Sequence, residues 1–365
     1  MNRSAIIVTI HVGSNFGSVL QTYATEYILR QLGFDAKILN YIPPRVTYSR
    51  YFKNMFNDVW RIPKKMIAFP IFVLNKYIYM GFVRRNCHLT CPYYSIGDIK
   101  KNMPKADVYI TGSDQVWNSI YNEGVDEVYY FTFLPPESRI IAFSSSFGRM
   151  QLPKDEEILV RSYLSRYKYI SVREKSAKAI LDKMGIKDVV NLLDPTILIN
   201  REIWTNNLIK RRVERNPYLL VFAPYNTVSE VLIYATATKI ARKKNLKIVT
   251  FSWGVFTNKR ADKTYRFASP EVFLSLMCYA SCVITNSFHG TAFAINFNRP
   301  LWVYEPSDFS TRLISILDQT QLRHRLLGDV ISDNLIDQEI DYKVVNEILE
   351  IERSKALGFL KKALN

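Results

Sequence analysis

The sequence predicts an α/β protein with two doubly wound domains that face each other across a cleft. The chain has 365 residues, which is too long for one ordinary core and suits two domains. Short apolar runs, typical of buried parallel strands, alternate with helical patterns. The alternation starts again after a polar, charged stretch at 200–216 that ends at Pro217, where we place the linker.

The predicted elements follow in chain order, and the composition, 48% apolar and 22% charged, is that of a folded globular protein. A helix over 18–31 has Ser18 as its predicted cap and Gly33 at its end. Strands are expected at 5–10, 37–41, 107–111, 139–143, 169–172 and 189–193, then at 218–223, 247–251, 282–285 and 301–304. The first domain is therefore predicted over 1–200, the second over 217–328, and a helical segment over 329–365.

A basic, aromatic helical insert interrupts the first domain at about 45–90. Its Lys and Arg residues are opposed only by Asp58, and aromatic residues such as Trp60 lie between them. The basic positions are Arg45, Arg50, Lys53, Arg61, Lys64, Lys65, Lys76, Arg84 and Arg85. Such a segment suits anionic lipid, a solvated face of a packed helix, or nucleic acid. We expect peripheral membrane contact through 45–85 and no nucleic acid; the apolar run at 66–74 is too short to span a bilayer, which needs about 20 residues.

The cysteines and the amino terminus bear on location. Four cysteines form two short pairs, and no secretory signal pattern precedes the first predicted strand. Reduced thiols in the cytoplasm are therefore expected. The Cys-His-x-x-Cys cluster at 87–91 lacks the remaining ligands of a zinc site, so no metal is expected.

Candidate site residues of the first half follow predicted strands, where open α/β sheets bind ligands. Gly13, Asn15 and Gly17 form a loop before a helix, which can receive phosphate or carboxylate but is not the dinucleotide fingerprint. Asp114 follows 107–111 and can accept a hydroxyl proton. Trp117 stacks on a sugar face or belongs to the core.

Further polar residues lie on the same kind of loop. Ser113 and Gln115 flank Asp114, while Ser145 and Ser146 donate to an anion or are simply solvated. Arg173 ends another strand and can hold a carboxylate or phosphate with two hydrogen bonds. The alternative is a structural pairing of Arg173 with Glu174 or Asp194.

The second half contains the most informative stretch, at 282–304. A buried strand leads into a polar turn that holds Asn286, Ser287, His289 and Gly290, and a small-residue helix follows. The free N–H groups of a helix start favour an anion. A titratable imidazole beside an anion site is a starting point for catalysis.

Together these motifs resemble the polysaccharide pyruvyl transferase family over roughly residues 5 to 328. The matching positions are Asn15-Phe16-Gly17 with Leu20-Gln21, Gly112–Asn118, Ser171–Glu174, Asp194–Thr196, Ser269-Pro270 with Phe273-Leu274, Asn286–Gly290 and Ser310-x-Arg312. The resemblance implies Rossmann-like domains arranged as in GT-B glycosyltransferases. It also implies transfer of pyruvate from phosphoenolpyruvate, the donor substrate, onto two hydroxyls of a sugar in a capsule or exopolysaccharide precursor.

The implied product is a cyclic ketal, with phosphate released and no cofactor required. On this interpretation His289 is the acid, Asp114 the base, and Arg173 with the helix start at 287–290 holds the donor. A lipid-linked acceptor would suit an enzyme at the inner face of the membrane.

One departure from the family pattern affects the donor site. Some members have an arginine two residues before the histidine, where this chain has Ser287. Arg299, Arg312 or Lys259 would then make that contact. Two other functions stay open: a GT-B glycosyltransferase that uses a nucleotide sugar, and a membrane-surface assembly protein without turnover.

Overall fold

The computed structural model describes residues 3–56, 62–225, 229–306 and 311–365. The predictions made at Asp58, Trp60, Arg61 and Ser310, and for the side chain of Lys64, lie outside this description. The chain forms two compact units, one of residues 3–195 with Ser354–Asn365 and one of Thr196–Arg353. The division at 195/196 precedes the stretch at 200–216 where the sequence placed the linker.

The first unit is built on a six-stranded parallel sheet. Its strands are β1 (Ser4–Val8), β2 (Asp35–Ile38), β3 (Val108–Thr111), β4 (Ile140–Ser145), β5 (Tyr169–Val172) and β6 (Val190–Asn191). Its helices are α1 (Phe16–Gln31), α2 (Tyr48–Phe56), α3 (Ile62–Asn86), α4 (Ile96–Lys101), α5 (Ser119–Asn122), α6 (Lys154–Leu164) and α7 (Lys175–Lys183).

The strand order of this sheet is β2-β1-β3-β4-β5-β6. Strands β1, β3 and β4 are buried on both faces, as their continuous apolar runs predict. The chain leaves β1 toward one edge to form β2 and then returns past β1 to form β3. The switch point of the fold therefore lies between β1 and β3, and the carboxyl ends of these two strands are the expected ligand edge.

The second unit has its own six-stranded parallel sheet. Its strands are β7 (Tyr218–Phe222), β8 (Lys247–Ser252), β9 (Lys263–Arg266), β10 (Cys282–Thr285), β11 (Leu301–Tyr304) and β12 (Leu326–Leu327). Its helices are α8 (Pro195–Leu198, which begins at the boundary), α9 (Arg201–Leu208), α10 (Ser229–Lys244), α11 (Pro270–Tyr279), α12 (Phe288–Asn296), α13 (Thr311–Gln319) and α14 (Asp333–Asp337). The last helix, α15 (Tyr342–Leu364), belongs to this unit up to Arg353 and to the first unit from Ser354.

The strand order of the second sheet is β12-β11-β10-β7-β8-β9. Counted within this unit the order is 6-5-4-1-2-3, which is the Rossmann order, and the switch point lies between β7 and β10. The sequence missed β9 and β12, the two outer strands. Strand β9 is polar and partly exposed, and β12 has only two residues, so neither shows a buried apolar run.

The predicted cap of α1 was wrong by three residues. Asn15, rather than Ser18, is the N-cap, and its side-chain oxygen accepts hydrogen bonds from the backbone N–H of Gly17 at 2.8 Å and of Ser18 at 3.3 Å. Ser18 is buried inside the first turn, where its hydroxyl bonds to Asp114 instead. The helix ends as predicted, with Gly33 in the left-handed region at φ +86°.

The insert forms the two helices α2 and α3. Among the described residues, one segment, Lys65–Asn86 of α3, is long and apolar enough by length and composition to cross a membrane. Of the apolar 18-residue stretch within it, 28% is buried. The sequence had judged only the shorter run at 66–74, so the structure corrects that reasoning. A single segment of this kind is weak evidence for a span, because packed helices of other proteins pass the same test.

Candidate functional site

Each unit presents polar side chains at its own switch point. In the first unit, the loop after β1 holds Gly13 and Asn15, and the loop after β3 holds Ser113, Asp114 and Gln115. In the second unit, Asn286 and Ser287 follow β10 directly and α12 begins at Phe288. The sequence prediction that these residues lie at carboxyl ends of strands is confirmed.

A buried ion cluster occupies the switch point of the first unit. The guanidinium of Arg173, whose side chain is fully buried, contacts Asp194 at 2.7 Å, Asp114 at 3.2 Å and Glu174 at 3.9 Å. Burial alone would lower the pKa of Arg173, but the three carboxylates outweigh it and raise that pKa. The guanidinium is thus held as a permanent cation among carboxylates.

Two serine hydroxyls also donate to the carboxylates of this cluster. Ser18 Oγ donates to Asp114 Oδ2 at 2.6 Å, and Ser113 Oγ donates to Asp194 Oδ2 at 2.7 Å. Asp114 has a left-handed backbone at φ +79°, a conformation uncommon for a residue other than glycine. The cluster therefore fixes both the side chain and the strained backbone of Asp114.

Arg173 makes structural ion pairs, which is the alternative that the sequence left open. Its guanidinium bonds to protein carboxylates, including both of the residues proposed as structural partners, so it positions Asp114 rather than offering a free edge to a donor substrate. The sequence reasoning had named Asp194 as a possible partner of Arg173, but it missed the hydrogen bond of Ser18 to Asp114 because it interpreted Ser18 as the cap of α1. The position of Asp194 directly after a predicted strand was the signal for its place in this cluster.

Three predicted substrate contacts near this cluster are corrected by burial. Ser145 Oγ donates to the backbone oxygens of Thr111 and Gly112, so it ties two loops together instead of facing an anion. Ser146 Oγ donates to Glu174 Oε1 at 2.9 Å, and Ser113 Oγ likewise donates to Asp194. All three serines have no exposed surface, because neighbouring strands and loops enclose them.

Trp117 is also a core residue and not a sugar platform. Its side chain is 1% exposed and packs against Tyr130, Phe147 and Tyr167 at ring-centroid distances of 5.9, 5.1 and 6.4 Å. No ring face is left for a sugar. The hydrophobic position of Trp117 within the Gly112–Asn118 motif therefore reflects packing.

The remaining predicted residues of this unit surround the start of α1 and the turn after β3. Gly13 has φ +146° with open space around it, and Asn15 is exposed although its side chain caps α1. Gly17 is buried and its N–H is used by Asn15. Gln115 is half-buried and its amide oxygen accepts from Asn118.

The second unit brings an amide and an imidazole to its switch point. The Asn286 side chain has no exposed surface, and its Nδ2 donates to Tyr225 O at 2.9 Å, which bridges the loops after β7 and β10. The Asn286 Oδ1 is buried with no hydrogen-bond partner among the described residues. Ser287 is the N-cap of α12, and His289 is the second residue of that helix.

Gly290 has a packing role that the sequence did not separate from ligand binding. A Cβ at this position would lie 2.3 Å from Thr285 Oγ1 and 2.8 Å from Phe222 Cδ1. Only glycine lets α12 approach strands β7 and β10 this closely. The N–H of Gly290 also donates to Ser287 Oγ, which caps the helix.

The three cations considered as substitutes for the missing family arginine fall in different places. Arg299 lies before β11, at the amino edge of the sheet, and bonds to Phe297 O and Ala280 O. Arg299 is therefore excluded as a substitute for the family arginine, because the candidate site lies at the carboxyl ends of the strands. Lys259 is exposed on the loop after β8. Arg312, in the first turn of α13 after β11, is buried with its guanidinium carbon 5.7 Å from the Phe288 ring centroid.

A cavity of about 680 Å³ lies elsewhere in the first unit. It is lined by the amino ends of β5 and β6 and by α15, through residues such as Tyr169, Val190 and Phe359. None of the predicted site residues lines it, so it is separate from both switch points.

The fold and the candidate sites place this chain in the class of α/β proteins with two Rossmann-like domains, each with polar residues at its switch point. Comparison with family models goes further. The model for polysaccharide pyruvyl transferase matches residues 15–308, and the chain belongs to this family. No curated protein matches the sequence.

Solved structures share the fold at low identity. The UDP-N-acetylglucosamine 2-epimerase from Rickettsia bellii has a TM-score of 0.54 and 11% identity, covering 99% of this chain and 97% of that one. The UDP-GlcNAc 2-epimerase from Neisseria meningitidis, bound to UDP-GlcNAc, has a TM-score of 0.52 and 11% identity, covering 98% and 94%. These likenesses show the fold alone, and they confirm the prediction of two Rossmann-like domains.

Proposed function

We propose that this chain transfers pyruvate from phosphoenolpyruvate onto two hydroxyls of a sugar in a polysaccharide precursor. The product is a cyclic ketal, and phosphate is released. The observation that carries the proposal is the placement of the family motif Asn286–Gly290 at the switch point of a Rossmann sheet. There the motif offers an imidazole, a helix start and a buried amide oxygen together.

Phosphoenolpyruvate carries a carboxylate and a phosphate, so its site needs fixed positive charge and N–H donors. The start of the nine-residue helix α12 supplies N–H groups and the positive end of the helix dipole. Arg312 supplies the cation, because it follows β11 at the same sheet edge and its guanidinium lies over the Phe288 ring next to His289. Arg173 is left out of this role since carboxylates already surround it.

The proposed chemistry begins with His289, which gives a proton to the methylene carbon of phosphoenolpyruvate. The central carbon becomes electrophilic and a sugar hydroxyl adds to it, losing its proton to a base. Phosphate then leaves with its bonding electron pair, and the second hydroxyl adds to the same carbon. Of the two hydroxyl protons, one returns to His289 to replace the proton that it gave, and the other leaves with the phosphate. One C–H bond and two C–O bonds form, while the C=C π bond, the two hydroxyl O–H bonds and the C–O bond to phosphate break.

Asp114 is the proposed base for the sugar hydroxyl. Its Oδ1 faces Arg173 and the N–H of Gln115, while Oδ2 accepts the Ser18 hydroxyl at 2.6 Å. A substrate hydroxyl would replace Ser18 at Oδ2. These hydrogen bonds fix the direction of the Asp114 carboxylate before the substrate arrives.

The direct test measures phosphate release from phosphoenolpyruvate with candidate sugar acceptors, together with the mass of the product. His289→Ala should lower kcat by about 10²–10⁴. His324→Ala, a histidine of the same unit away from the switch point, should leave it unchanged. Near-normal turnover of His289→Ala would remove the acid role, and release of a nucleotide from a nucleotide sugar would favour the glycosyltransferase alternative.

The donor cation has its own test. Arg312→Met should raise the KM for phosphoenolpyruvate by about tenfold or more, since a charged hydrogen bond to an anion is lost. Arg323→Met removes an exposed arginine of the same unit and should not change KM. An unchanged KM in Arg312→Met would place the donor elsewhere.

The acceptor and the location are parts of the same proposal. A capsule or exopolysaccharide precursor, built on a lipid carrier at the cytoplasmic face of the inner membrane, suits the strongly basic chain with its net charge of +16. A lipid-linked sugar accepted in preference to the free sugar would support this assignment.

A further inference from the structure

The insert helices α2 and α3 expose an apolar surface instead of a polar one. On α3 the exposed positions Ile67, Pro70, Leu74 and Tyr77 are three or four residues apart and therefore lie on one face of the helix. Ile67 is 75% exposed and Tyr77 is 74% exposed. A surface helix normally turns polar residues outward, so the exposed face of α3 is reversed.

The opposite face of α3 is packed against the first unit. Tyr79, Phe82 and Val83 are buried, and the Tyr79 and Phe82 rings lie 5.2 and 6.4 Å from the rings of Phe16 and Tyr23 on α1. The last two turns of the helix are thus anchored on one side to a folded domain. A helix held in this way lies on a surface and does not cross a bilayer surrounded by lipid.

Helix α2 packs against α3 and also exposes aromatic side chains. Tyr48, Phe52 and Phe56 are exposed at spacings of four residues, and Phe56 is 63% exposed. The two helices are joined by ring contacts: Tyr51 stacks on Phe72 and Phe52 tilts on Phe69, both at 4.8 Å between centroids. Aromatic side chains of this kind favour the headgroup layer of a membrane.

The charge around this surface identifies the partner. Over residues 45–86 the sequence has nine Lys or Arg residues and one Asp. Arg45 and Arg50 form ion pairs with Asp126 and Glu123, but Lys53 is exposed at the edge of the apolar surface, and Arg84 and Arg85 are exposed at the end of the α3 face. Positive charge beside exposed aromatic and aliphatic groups matches an anionic bilayer surface.

We infer that α2 and α3 form a membrane-docking surface that lies on an anionic lipid bilayer. The apolar stripe from Ile67 to Tyr77 enters the headgroup boundary, and Lys53, Arg84 and Arg85 contact lipid phosphates. The solvated basic face considered from the sequence is not what the structure has, because the exposed centre of α3 is apolar. The docking surface goes beyond the proposed reaction and does not depend on the donor.

The test is flotation of the full chain with lipid vesicles in the absence of phosphoenolpyruvate and sugar. The wild type should float with phosphatidylglycerol-phosphatidylcholine vesicles more than with phosphatidylcholine alone, and less in high salt. Ile67→Gln with Leu74→Gln should lower partitioning at least about tenfold. Ile158→Gln, at a position that is 73% exposed on α6, is the matched control and should stay within about twofold of wild type.

Arg84→Gln with Arg85→Gln should reduce binding to anionic vesicles and weaken its salt dependence, with little effect on neutral vesicles. Absence of wild-type flotation, or equal effects of the α3 pair and Ile158→Gln, would overturn the inference. A dimer in solution that the α3 pair dissolves, without flotation, would assign the surface to a second copy of the chain. Turnover on a soluble acceptor should be unchanged in all these variants, so a failure of the proposed reaction would be seen separately.

Discussion

The buried position of Arg173 yields a stability prediction that follows from its three ion contacts. Arg173→Met replaces a buried cation with an apolar side chain and leaves Asp114, Asp194 and Glu174 without their shared partner. Breaking a buried ion pair from one side costs about 3–5 kcal/mol. Because a domain is stable by only about 5–15 kcal/mol, the variant should be near the limit of folding.

The magnitude converts to a measurable shift. For a unit of about 200 residues, each 1 kcal/mol lowers Tm by about 2–4 °C, so Arg173→Met should lose roughly 6–20 °C. Calorimetry and urea unfolding give the two readings. Arg30→Met in the same unit removes an exposed ion pair at 3.5 Å from Asp35 and should cost less than about 1 kcal/mol.

Unfolding at lower pH tests whether the unpaired carboxylates cause the loss of stability in Arg173→Met. Acid neutralises stranded carboxylates, so the difference between wild type and Arg173→Met should narrow between about pH 7 and pH 4. A loss below about 1 kcal/mol at neutral pH, equal to that of Arg30→Met, would refute the reasoning. Such a result would mean that Asp114, Asp194 and Glu174 are hydrated or protonated in the variant with little loss of folding free energy.

Three further predictions concern the edges of the sheets, each measured by urea unfolding. Gly290→Ala should destabilise by about 1–3 kcal/mol because its Cβ meets Thr285 Oγ1 at 2.3 Å, whereas Gly358→Ala, in open space on α15, should be neutral or stabilising; equal effects would contradict the packing role. Asn15→Ala should cost about 0.5–2 kcal/mol as the α1 cap is lost, and no loss would show that the cap is dispensable. Burial lowers the pKa of His11 below 6.5, so on acidification the unfolded chain binds a proton at this histidine before the folded chain does, and the free energy of unfolding falls as the pH drops below about 6.5. His11→Gln should make this loss of stability smaller. The same pH dependence of stability in wild type and His11→Gln would exclude His11 as the cause.

Several elements were predictable because their signal is local. Strands β5, β10 and β11 were predicted to the residue, since each is a buried apolar run between turn residues. Asn286 and Ser287 were placed correctly after a strand for the same reason, but the predicted turn was too long, because α12 already begins at Phe288. The outer strands β9 and β12 were missed because their backbone pairing, and not their side chains, makes them strands.

The site residues divide along a similar line. Asp114 and His289 could be selected as candidates from residue type and position after a strand. The sequence named Glu174 and Asp194 as possible partners of Arg173, but it could not decide between an ion pair and a donor contact. These groups meet only when strands β3, β5 and β6 are assembled. Burial likewise separated Trp117 and Ser145, which are core and loop-tying residues, from groups that a ligand could reach.

The sequence by itself determined two parallel α/β domains, the family, and the order of the polar turns along the chain. These follow from short-range hydrophobic periodicity and from motifs that need no contact to be recognised. Tertiary structure alone decided which cation is enclosed by carboxylates, which glycine is a packing contact, and that the exposed face of α3 is apolar. Burial and ion pairing depend on residues far apart in the chain, so only the folded molecule determines them.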